Sequence, residues 1–350
     1  MRLQDRPIDN ILVRSVNWIG DAVMTTPALS MVRQAFPRAR ITLAANPTTA
    51  ELFRHHPHCD GVLVFDKKGG HRGPAGLWRF CRQLRKERFD LALLLQNAFE
   101  AALLCRWAGI PLRGGYATDG RRLLLTHPVA VGPRERSLHH TDYYRAMLRG
   151  LGIDGDGGGL RLHCTPEESM EAARILGEAL STELRDRRWV GLNAGAAYGS
   201  AKRWRPERFA AVGDRLAELR GMKVLVLGGP GEEDAAREIQ DAMTRPALNV
   251  AGKTSVREMM ALVSRCRLLV TNDSGPMHVA AAFGVPVAAV FGPTDPEATS
   301  PRSPSFRVVS AQCECAPCLL RQCPRDHRCM ESVSADDVLR AALELLEEAS

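Results

Sequence analysis

Short apolar segments recur along the chain, and amphipathic segments with helical spacing lie between them. The apolar segments are rich in Val, Leu, Ile and Ala on both faces, which predicts buried strands of a parallel sheet covered by helices on both sides. The strands predicted in the two halves of the chain are Ile11–Val16, Arg40–Ala45, Gly61–Phe65 and Asp90–Leu95, then Trp189–Asn193, Lys223–Leu227, Arg267–Thr271 and Val287–Phe291. The predicted fold class is therefore α/β, with two Rossmann-like domains.

The boundary between the predicted domains falls near residue 165. The first domain covers residues 1–165, and the second covers residues 166–334 and opens with a linker helix region, 166–186, where a helix is predicted from Pro166 to about Thr182. Six glycines between residues 150 and 159 form either a hinge or an exposed loop at the tip of one domain. Residues 335–350 predict an amphipathic closing helix, for which packing back on the N-terminal domain is one placement.

The charge of the chain is distributed unevenly between its halves. Residues 1–150 contain 23 Lys and Arg against 12 Asp and Glu, a net charge of +11, whereas residues 151–350 contain 24 against 28, a net charge of −4. The first half therefore predicts an anionic partner, with a merely solvated basic face as the alternative. Nucleic acid is disfavoured because aromatic residues are only 5% of the chain and no nucleic-acid-binding motif is present; a phosphorylated lipid or membrane surface fits the charge as well.

The chain is expected to lack both a signal peptide and a membrane span. Charged side chains precede any apolar run within residues 1–16, and the longest uncharged apolar stretch, residues 279–294, is interrupted by Pro286 and Pro293. A span needs about 20 apolar residues. We therefore expect a cytoplasmic protein.

Several common nucleotide-binding and hydrolase motifs are missing from the sequence. The loop after the first predicted strand contains Gly20 alone, so the G-x-G-x-x-G fingerprint of dinucleotide-binding enzymes is absent. The segment Ala251–Thr254 has the end of a phosphate-binding P-loop but lacks the glycine that this motif requires at position 247. Dehydrogenase and nucleoside-triphosphatase activities are accordingly disfavoured.

Asp21 follows the first predicted strand, where a catalytic carboxylate would lie, because ligands bind beyond the carboxyl ends of the strands in open α/β sheets. The neighbouring Gly20 allows a ligand to approach the backbone closely. The alternative is that Asp21 caps the N-terminus of a helix running to about Ala35.

The first strand of the second domain leads into a loop of small residues. Gly195, Gly199 and Ser200 expose backbone N–H groups there, and Lys202 adds a compact positive charge suited to phosphate. The alternative for Lys202 is an ordinary surface lysine. Leu227–Glu233 and Phe291–Pro296 form further loops at the same predicted edge, so together these segments outline a nucleotide pocket.

The segment from Leu268 to Ala281 joins a buried strand to a helix that begins with Ser274, Gly275 and Pro276. Such a helix N-terminus binds anions, and a diphosphate fits there. Asp273 would repel a phosphate beside it, so it either accepts a hydrogen bond from a sugar hydroxyl or holds the turn. His278 either donates to a phosphate or packs in the core.

Four segments together resemble glycosyltransferase family 9, the ADP-heptose:lipopolysaccharide heptosyltransferases: Trp18-Ile19-Gly20-Asp21, Thr26-Pro27-Ala28-Leu29, Lys202-Arg203-Trp204-Arg205-Pro206 and Thr271 to His278. The resemblance implies a GT-B fold, in which two Rossmann-like domains face each other across an interdomain cleft. It also implies an inverting transfer of heptose from ADP-heptose to the first heptose of the inner core, with heptosyl-Kdo2-lipid A as acceptor. The enzyme would act at the cytoplasmic face of the inner membrane and require no metal or other cofactor.

The resemblance assigns roles to individual residues. Asp21 matches the proposed catalytic base of the family, and Lys202 matches the lysine that contacts the donor diphosphate. The residues predicted to bind the donor are Ser200, Gly229, Glu232, Asp273, Ser274, Gly275, Met277 and His278. One departure is Ala196-Ala197-Tyr198, where a related enzyme has hydroxyl residues, so phosphate contacts there must come from backbone N–H groups or Ser200.

The acceptor implied by the resemblance is anionic, which gives the basic first half a specific partner. Candidate contacts are Trp18, Gly20, Lys67, Lys68, Arg72, Arg121 and Arg122. A role as solvated surface charge is the alternative for each basic residue.

Five of the ten cysteines lie between residues 313 and 329. Their spacing permits a structural metal site, possible ligands being Cys315, Cys318, Cys323 and Cys329 with zinc as the ion. Reduced thiols packed in a loop and redox-linked bonding are the alternatives.

Two other functions remain open at this stage. One is a family 9 enzyme with a different acceptor or donor. The other is a non-catalytic nucleotide-sugar binding protein, which the presence of Asp21 disfavours because binding ADP does not require that carboxylate.

Overall fold

The computed structural model of the chain describes residues 2–178 and 187–349. The chain divides into two compact units, Met1–His163 and Cys164–Ser350. Each unit is built on one six-stranded parallel sheet, and the predicted α/β class with two Rossmann-like domains is confirmed.

The first unit has a sheet with the strand order β3-β2-β1-β4-β5-β6. Its strands are β1 (Asn10–Arg14), β2 (Arg40–Ala45), β3 (Gly61–Val64), β4 (Leu91–Leu94), β5 (Leu112–Tyr116) and β6 (His127–Val129). The chain starts at the centre of this sheet, extends to one edge, returns and then extends to the other. The carboxyl ends of β1 and β4 are therefore neighbours at the point where the strand order reverses, which is where ligands bind in such sheets.

The α-helices described in the first unit are α1 (Ile19–Met24), α2 (Thr26–Ala35), α3 (Pro47–Phe53), α4 (Gly73–Glu87), α5 (Phe99–Trp107), α6 (Pro133–Arg136) and α7 (His140–Gly150). The single helix expected to run to Ala35 is interrupted at Thr25. Pro27 has no N–H to donate to the carbonyl of Val23, and the hydroxyl of Thr26 donates to that carbonyl instead at 2.8 Å.

The glycine-rich segment after α7 is a loop packed on α2 within the first unit. Gly157 has φ +69°, and a Cβ there would lie 2.4 Å from the carbonyl oxygen of Pro27, so both its conformation and its close contact require glycine. Arg161 donates its backbone N–H to the Thr26 hydroxyl at 3.1 Å. The sequence allows either a hinge or a loop for this segment, and this packing favours a loop. The division between the two units comes after it, at residue 163.

The second unit has a sheet with the strand order β12-β11-β10-β7-β8-β9. Its strands are β7 (Trp189–Asn193), β8 (Lys223–Leu227), β9 (Ala247–Asn249), β10 (Cys266–Asn272), β11 (Val287–Phe291) and β12 (Phe306–Ser310). The order reverses between β7 and β10, so the loops that leave these two strands flank the expected ligand position.

The helices described in the second unit are α8 (Pro166–Leu176), α9 (Pro206–Arg220), α10 (Glu233–Ala242), α11 (Val256–Ser264), α12 (Gly275–Ala282), α13 (Pro296–Thr299), α14 (Arg328–Glu331) and α15 (Ala335–Glu348). The helix predicted from Pro166 ends at Leu176, where Gly177 forms a left-handed C-cap, and residues 179–182 of that prediction lie outside the described residues.

The C-terminal helix α15 belongs to the second unit. Its side chains Val338, Ala342, Leu345 and Leu346 are buried in the core of that unit, together with residues of β10 and α9. This corrects the expectation that the helix packs back on the N-terminal domain, because its apolar face is already occupied here.

Within the described parts of the chain, no helix has the length and apolar character needed to cross a membrane.

Candidate active site

The loops that leave β7 and β10 are joined by a buried hydrogen-bond network. Asn193, the last residue of β7, donates from Nδ2 to the hydroxyls of Thr271 (3.2 Å) and Ser274 (3.1 Å). In return, Asn272 at the end of β10 donates to the carbonyl of Ala194 at 2.7 Å. Since all of these groups are partly or fully buried, the network fixes the spacing of the two loops.

Lys202 and Asp273 form an ion pair at the switch point, the place where the strand order reverses between β7 and β10. The ammonium group of Lys202 donates to Oδ2 of Asp273 at 2.6 Å and to its carbonyl oxygen at 3.3 Å. Their side chains are only 13% and 6% exposed, respectively. Both residues are predicted from the sequence to lie at the donor site, and the structure adds that Asp273 holds Lys202 in position.

Glu232 joins the loop after β8 to the loop after β7. Its carboxylate accepts a hydrogen bond from the backbone N–H of Gly229 at 2.8 Å. A Cβ at Gly195 would lie 2.1 Å from the same carboxylate, so Glu232 lies directly against the backbone of the second unit's first loop. Ser200 is exposed in that loop and Gly229 in the next, where a ligand can reach them.

Helix α12 begins at Gly275, two residues after Asp273. Ser274 is its N-cap residue, but the Ser274 hydroxyl contacts Thr271 and Asn193 rather than capping the helix. The N-terminus of α12 therefore has no side-chain cap, and its positive dipole end can face an anion. His278 is buried in this helix and Met277 is fully buried, so a contact of Met277 with the donor would come from its backbone.

The cysteine-rich segment packs against the loop that carries Lys202. The hydroxyl of Tyr198 donates to the carbonyl of Leu319 at 2.8 Å, and the N–H of Ala201 donates to the carbonyl of Arg321 at 3.1 Å. His327 contacts the carbonyl of Ala201 through Nε2 at 2.6 Å. We call residues 319–327 the clamp segment, because they hold residues 198–201 from outside.

Gly199 is the point of closest approach to the clamp segment. A Cβ at Gly199 would lie 2.2 Å from the carbonyl oxygen of Arg321, which is backbone and cannot turn aside. We expect Gly199→Ala to lower the free energy of unfolding by about 1–3 kcal/mol, as overpacking does. Urea unfolding of the full chain measures this change.

The matched control for this experiment is Gly229→Ala, where the new Cβ would meet only Glu232 Oε2 at an ordinary 3.6 Å. Equal stability of the two variants would contradict the contact.

The thiols of the cysteine-rich segment do not assemble a metal site in the described residues. No group of three or more His, Cys, Asp or Glu side chains in those residues is arranged to hold an ion. Cys329 is buried in the core, and burial together with the neighbouring thiols raises its pKa to about 11. The Sγ atoms of Cys313 and Cys315 lie 3.3 Å apart, so these two thiols are in contact.

Asp21 lies in the first turn of α1, beyond the carboxyl end of β1. Nδ1 of His140, the first residue of α7, lies 3.2 Å from Oδ1 of Asp21. The two side chains are 28% (Asp21) and 43% (His140) exposed, so substrate and water can reach both. Trp18, rather than Asp21, is the N-cap residue, so the capping alternative for Asp21 is wrong.

Tyr144 closes the buried side of this pair. It is four residues after His140 on α7, and burial, with a smaller contribution from the charge of Asp21, raises the pKa of its hydroxyl well above the ordinary value. Tyr144 therefore stays neutral. His140 and Tyr144 are the residues of this site that sequence analysis missed; their i, i+4 spacing, which puts them on one helix face, was the available signal.

The predicted acceptor contacts fall into two groups. Trp18, 48% exposed, adjoins Asp21, and Gly20 lies between them in the chain. Lys67, Lys68 and Arg72 are exposed after β3, where Lys67 pairs with Glu100. These residues are accessible at or near the carboxyl edge of the first sheet.

The prediction that Arg121 contacts the acceptor is wrong. Its side chain is fully buried, and its guanidinium donates to the carbonyls of Tyr116 and Gln96 and to the side chain of Asn97. It therefore fastens the loops after β4 and β5 and does not face an acceptor. Arg122, the next residue, is exposed.

Comparisons with known proteins agree with this arrangement. Residues 77–328 match the family described as glycosyltransferase family 9 (heptosyltransferase). The lipopolysaccharide heptosyltransferase 2 of Escherichia coli K12 is 30% identical over 310 residues, which are 85% of this chain and 87% of that protein.

Two solved structures are similar over nearly the whole chain. The family 9 glycosyl transferase of Veillonella parvula has a TM-score of 0.86 at 28% identity, covering 98% of this chain and 99% of that one. The ADP-heptose lps heptosyltransferase II of E. coli has a TM-score of 0.80 at 26% identity, covering 97% and 99%.

The first unit carries a carboxylate at the carboxyl edge of its sheet, and the second unit carries a lysine beside a helix N-terminus. Two Rossmann-like units with these groups define a glycosyltransferase that uses a nucleotide-linked sugar. The chain belongs to glycosyltransferase family 9, the heptosyltransferases.

Proposed function

We propose that the protein transfers L-glycero-D-manno-heptose from ADP-heptose to the first heptose of the lipopolysaccharide inner core, with inversion at the anomeric carbon. Similarity to the E. coli lipopolysaccharide heptosyltransferase 2 supports the substrate class. The observation that carries the proposal is the Lys202–Asp273 pair at the switch point between β7 and β10.

The donor site follows from the chemistry of the leaving group. Negative charge grows on the diphosphate as the bond to the sugar breaks. Lys202, held by Asp273, and the N-terminus of α12 are fixed in advance to receive that charge, which is the arrangement that lowers a barrier most. Exposed Ser200 and the loop of Gly229 supply further hydrogen-bonding groups for ADP-heptose.

Asp21 is the proposed general base. It accepts the proton of the acceptor hydroxyl as the oxygen attacks the anomeric carbon from the face opposite ADP. His140 donates from Nδ1 to the Asp21 carboxylate, which orients the oxygen that receives the proton. Since the Asp21 carboxyl group is itself open to solvent, it can release that proton to water after the transfer.

His140 is expected to act as a positioning residue for Asp21. His140→Ala should lower kcat about tenfold and leave the KM for ADP-heptose unchanged, because the carboxylate remains but loses its orientation. His140→Gln, whose amide can still donate to Asp21, should recover part of the rate. Steady-state ADP release measures both, and equal loss in the two variants would contradict this role.

The experiment that tests the function is ADP release from ADP-heptose by the purified protein with two acceptors. One is Kdo2-lipid A that already carries one heptose, and the other is the same lipid without it. Release only with the heptosylated acceptor supports the proposal. Release with the bare acceptor would identify an enzyme that adds the first heptose, and tight ADP-heptose binding without turnover would indicate a binding protein.

We further propose that the reaction takes place at the cytoplasmic face of the inner membrane. The lipid-linked acceptor and the net charge of +11 in residues 1–150 support this location.

A further inference from the structure

One outer surface of the first unit combines exposed apolar side chains with arginines. Trp78 on α4 is 64% exposed, Trp107 at the end of α5 is 52% exposed, and Leu123 in the short 3₁₀ helix Arg121–Leu124 is 94% exposed. Isolated exposed apolar residues are ordinary on a protein surface, but a group of three large ones is not.

These three side chains lie on the same side of the sheet. Phe80 and Leu84 of α4, Leu104 of α5 and Leu124 of the 3₁₀ helix all pack into a single hydrophobic core. The elements are also neighbours, since α5 contacts both α4 and the 3₁₀ helix. Because the three elements pack side by side over one core, their outer faces lie on the same side of the first unit.

Arginines are fixed around the aromatic rings. The guanidinium of Arg82 lies 5.5 Å from the ring centre of Trp78, and Arg85 donates to the carbonyl of Trp107 at 2.6 Å. Arg122 is exposed beside Leu123. We call Trp78, Arg82, Arg85, Trp107, Arg122 and Leu123 the Trp–Arg surface.

Few acidic side chains lie near this surface. The sequences of α4 and α5 contain one acid each, Glu87 and Glu100, and these pair with Arg40 and Lys67. The 3₁₀ helix contains none, and the exposed Asp119 lies two residues before it. The Trp–Arg surface is therefore strongly cationic as well as partly apolar.

The physical chemistry of the surface selects its partner. Tryptophan rings favour the boundary between lipid headgroups and acyl chains, and arginine binds lipid phosphates. An exposed leucine is stabilised by moving from water into an apolar phase. A nucleic acid offers phosphates but no apolar phase for Leu123. A second copy of the same surface would bring like charges together.

We propose that the Trp–Arg surface docks the protein on an anionic lipid bilayer. The biological role of this docking rests on the proposed function, because docking brings the enzyme to a lipid-linked acceptor. The docking itself requires neither donor nor acceptor.

The test is co-sedimentation of the full chain with vesicles of phosphatidylethanolamine and phosphatidylglycerol, compared with vesicles of phosphatidylcholine alone. Binding to the anionic vesicles should be at least tenfold tighter and weaken with added salt. The double variant Arg82→Glu/Arg85→Glu should lose at least tenfold in affinity. Leu123→Ser should lose several-fold, since it removes the apolar contact alone.

The matched control is Leu219→Ser/Arg237→Glu, which changes an exposed leucine and an exposed arginine in the second unit. This variant should bind vesicles as the unchanged protein does. Thermal unfolding of all variants shows that each is folded. Equal vesicle binding by Arg82→Glu/Arg85→Glu and the unchanged protein would overturn the proposal, as would equal binding to neutral vesicles.

Two further outcomes would assign the surface to another partner and so overturn the proposal. One is tighter binding to polyuridylate RNA than to vesicles, lost in the same variants. The other is a dimer in sedimentation velocity that Leu123→Ser dissociates. Failure of docking is distinguishable from failure of the proposed function, because ADP release with a delipidated, water-soluble acceptor should stay unchanged in Arg82→Glu/Arg85→Glu.

Discussion

Asp21→Asn is expected to lower kcat for ADP release by about 10²–10⁴-fold, the range that general-base catalysis contributes. Asparagine keeps the shape of the side chain and can still contact His140, but it cannot accept a proton. The Kd for ADP-heptose should not change, since the residues proposed to bind the donor belong to the second unit. Steady-state kinetics and calorimetric titration of ADP-heptose measure the two quantities.

The control is Asp142→Asn, which removes a carboxylate from the same helix as His140. Asp142 forms an ion pair with Arg145 on the same helix, and its loss should leave kcat within about twofold. Equal effects of the two substitutions, or normal turnover by Asp21→Asn, would remove Asp21 from the role of base.

Lys202→Met is expected to affect both stability and turnover. Removing one partner of a buried ion pair leaves the other charge unpaired, so the free energy of unfolding should fall by about 3 kcal/mol. Turnover should fall by about 10²–10³-fold, because a fixed positive group no longer faces the departing diphosphate. Chemical denaturation and ADP release measure these effects.

The double variant Lys202→Met/Asp273→Asn separates the two effects. It removes the unpaired carboxylate, so it should regain most of the lost stability while remaining as inactive as Lys202→Met. Recovery of turnover together with stability would show that Lys202 serves only to hold the fold.

The central strands of both sheets could be predicted from the sequence. Arg40–Ala45, Trp189–Asn193, Lys223–Leu227 and Val287–Phe291 have the predicted bounds, because strands buried on both faces are continuous apolar runs. Four strands were missed: β5, β6, β9 and β12. Three of them are edge strands, only partly buried, and β5 contains two glycines and an arginine, so none presents a continuous apolar run.

The placement of Asp21, Lys202 and Asp273 beyond strand ends could be predicted from the sequence, because parallel strands bring their carboxyl ends to one edge of a sheet. Their roles in the reaction stay predictions. His140 could not be found by the same rule, since it reaches Asp21 through the packing of α7 against α1 across 119 residues of sequence.

Burial was the other quantity that sequence reasoning could not supply. Arg121 and Arg122 are adjacent and chemically identical, yet one is fully buried among carbonyl oxygens and the other is exposed. Nothing in the sequence distinguishes them, because the difference depends on which loop carbonyls the fold brings to each side chain.

The clamp segment has a consequence for the order of events during protein synthesis. The hydrogen bonds that hold residues 198–201 come from residues 319–327, and each bond joins residues at least 120 positions apart in the chain. A nascent chain that ends just after Asp273, the residue that follows β10, contains both Lys202 and Asp273, but the groups that fasten the loop have not yet been translated. Nearly the whole polypeptide must therefore be synthesised before residues 198–201 of the donor site are held in place. Incomplete translation products should fail to retain the nucleotide sugar.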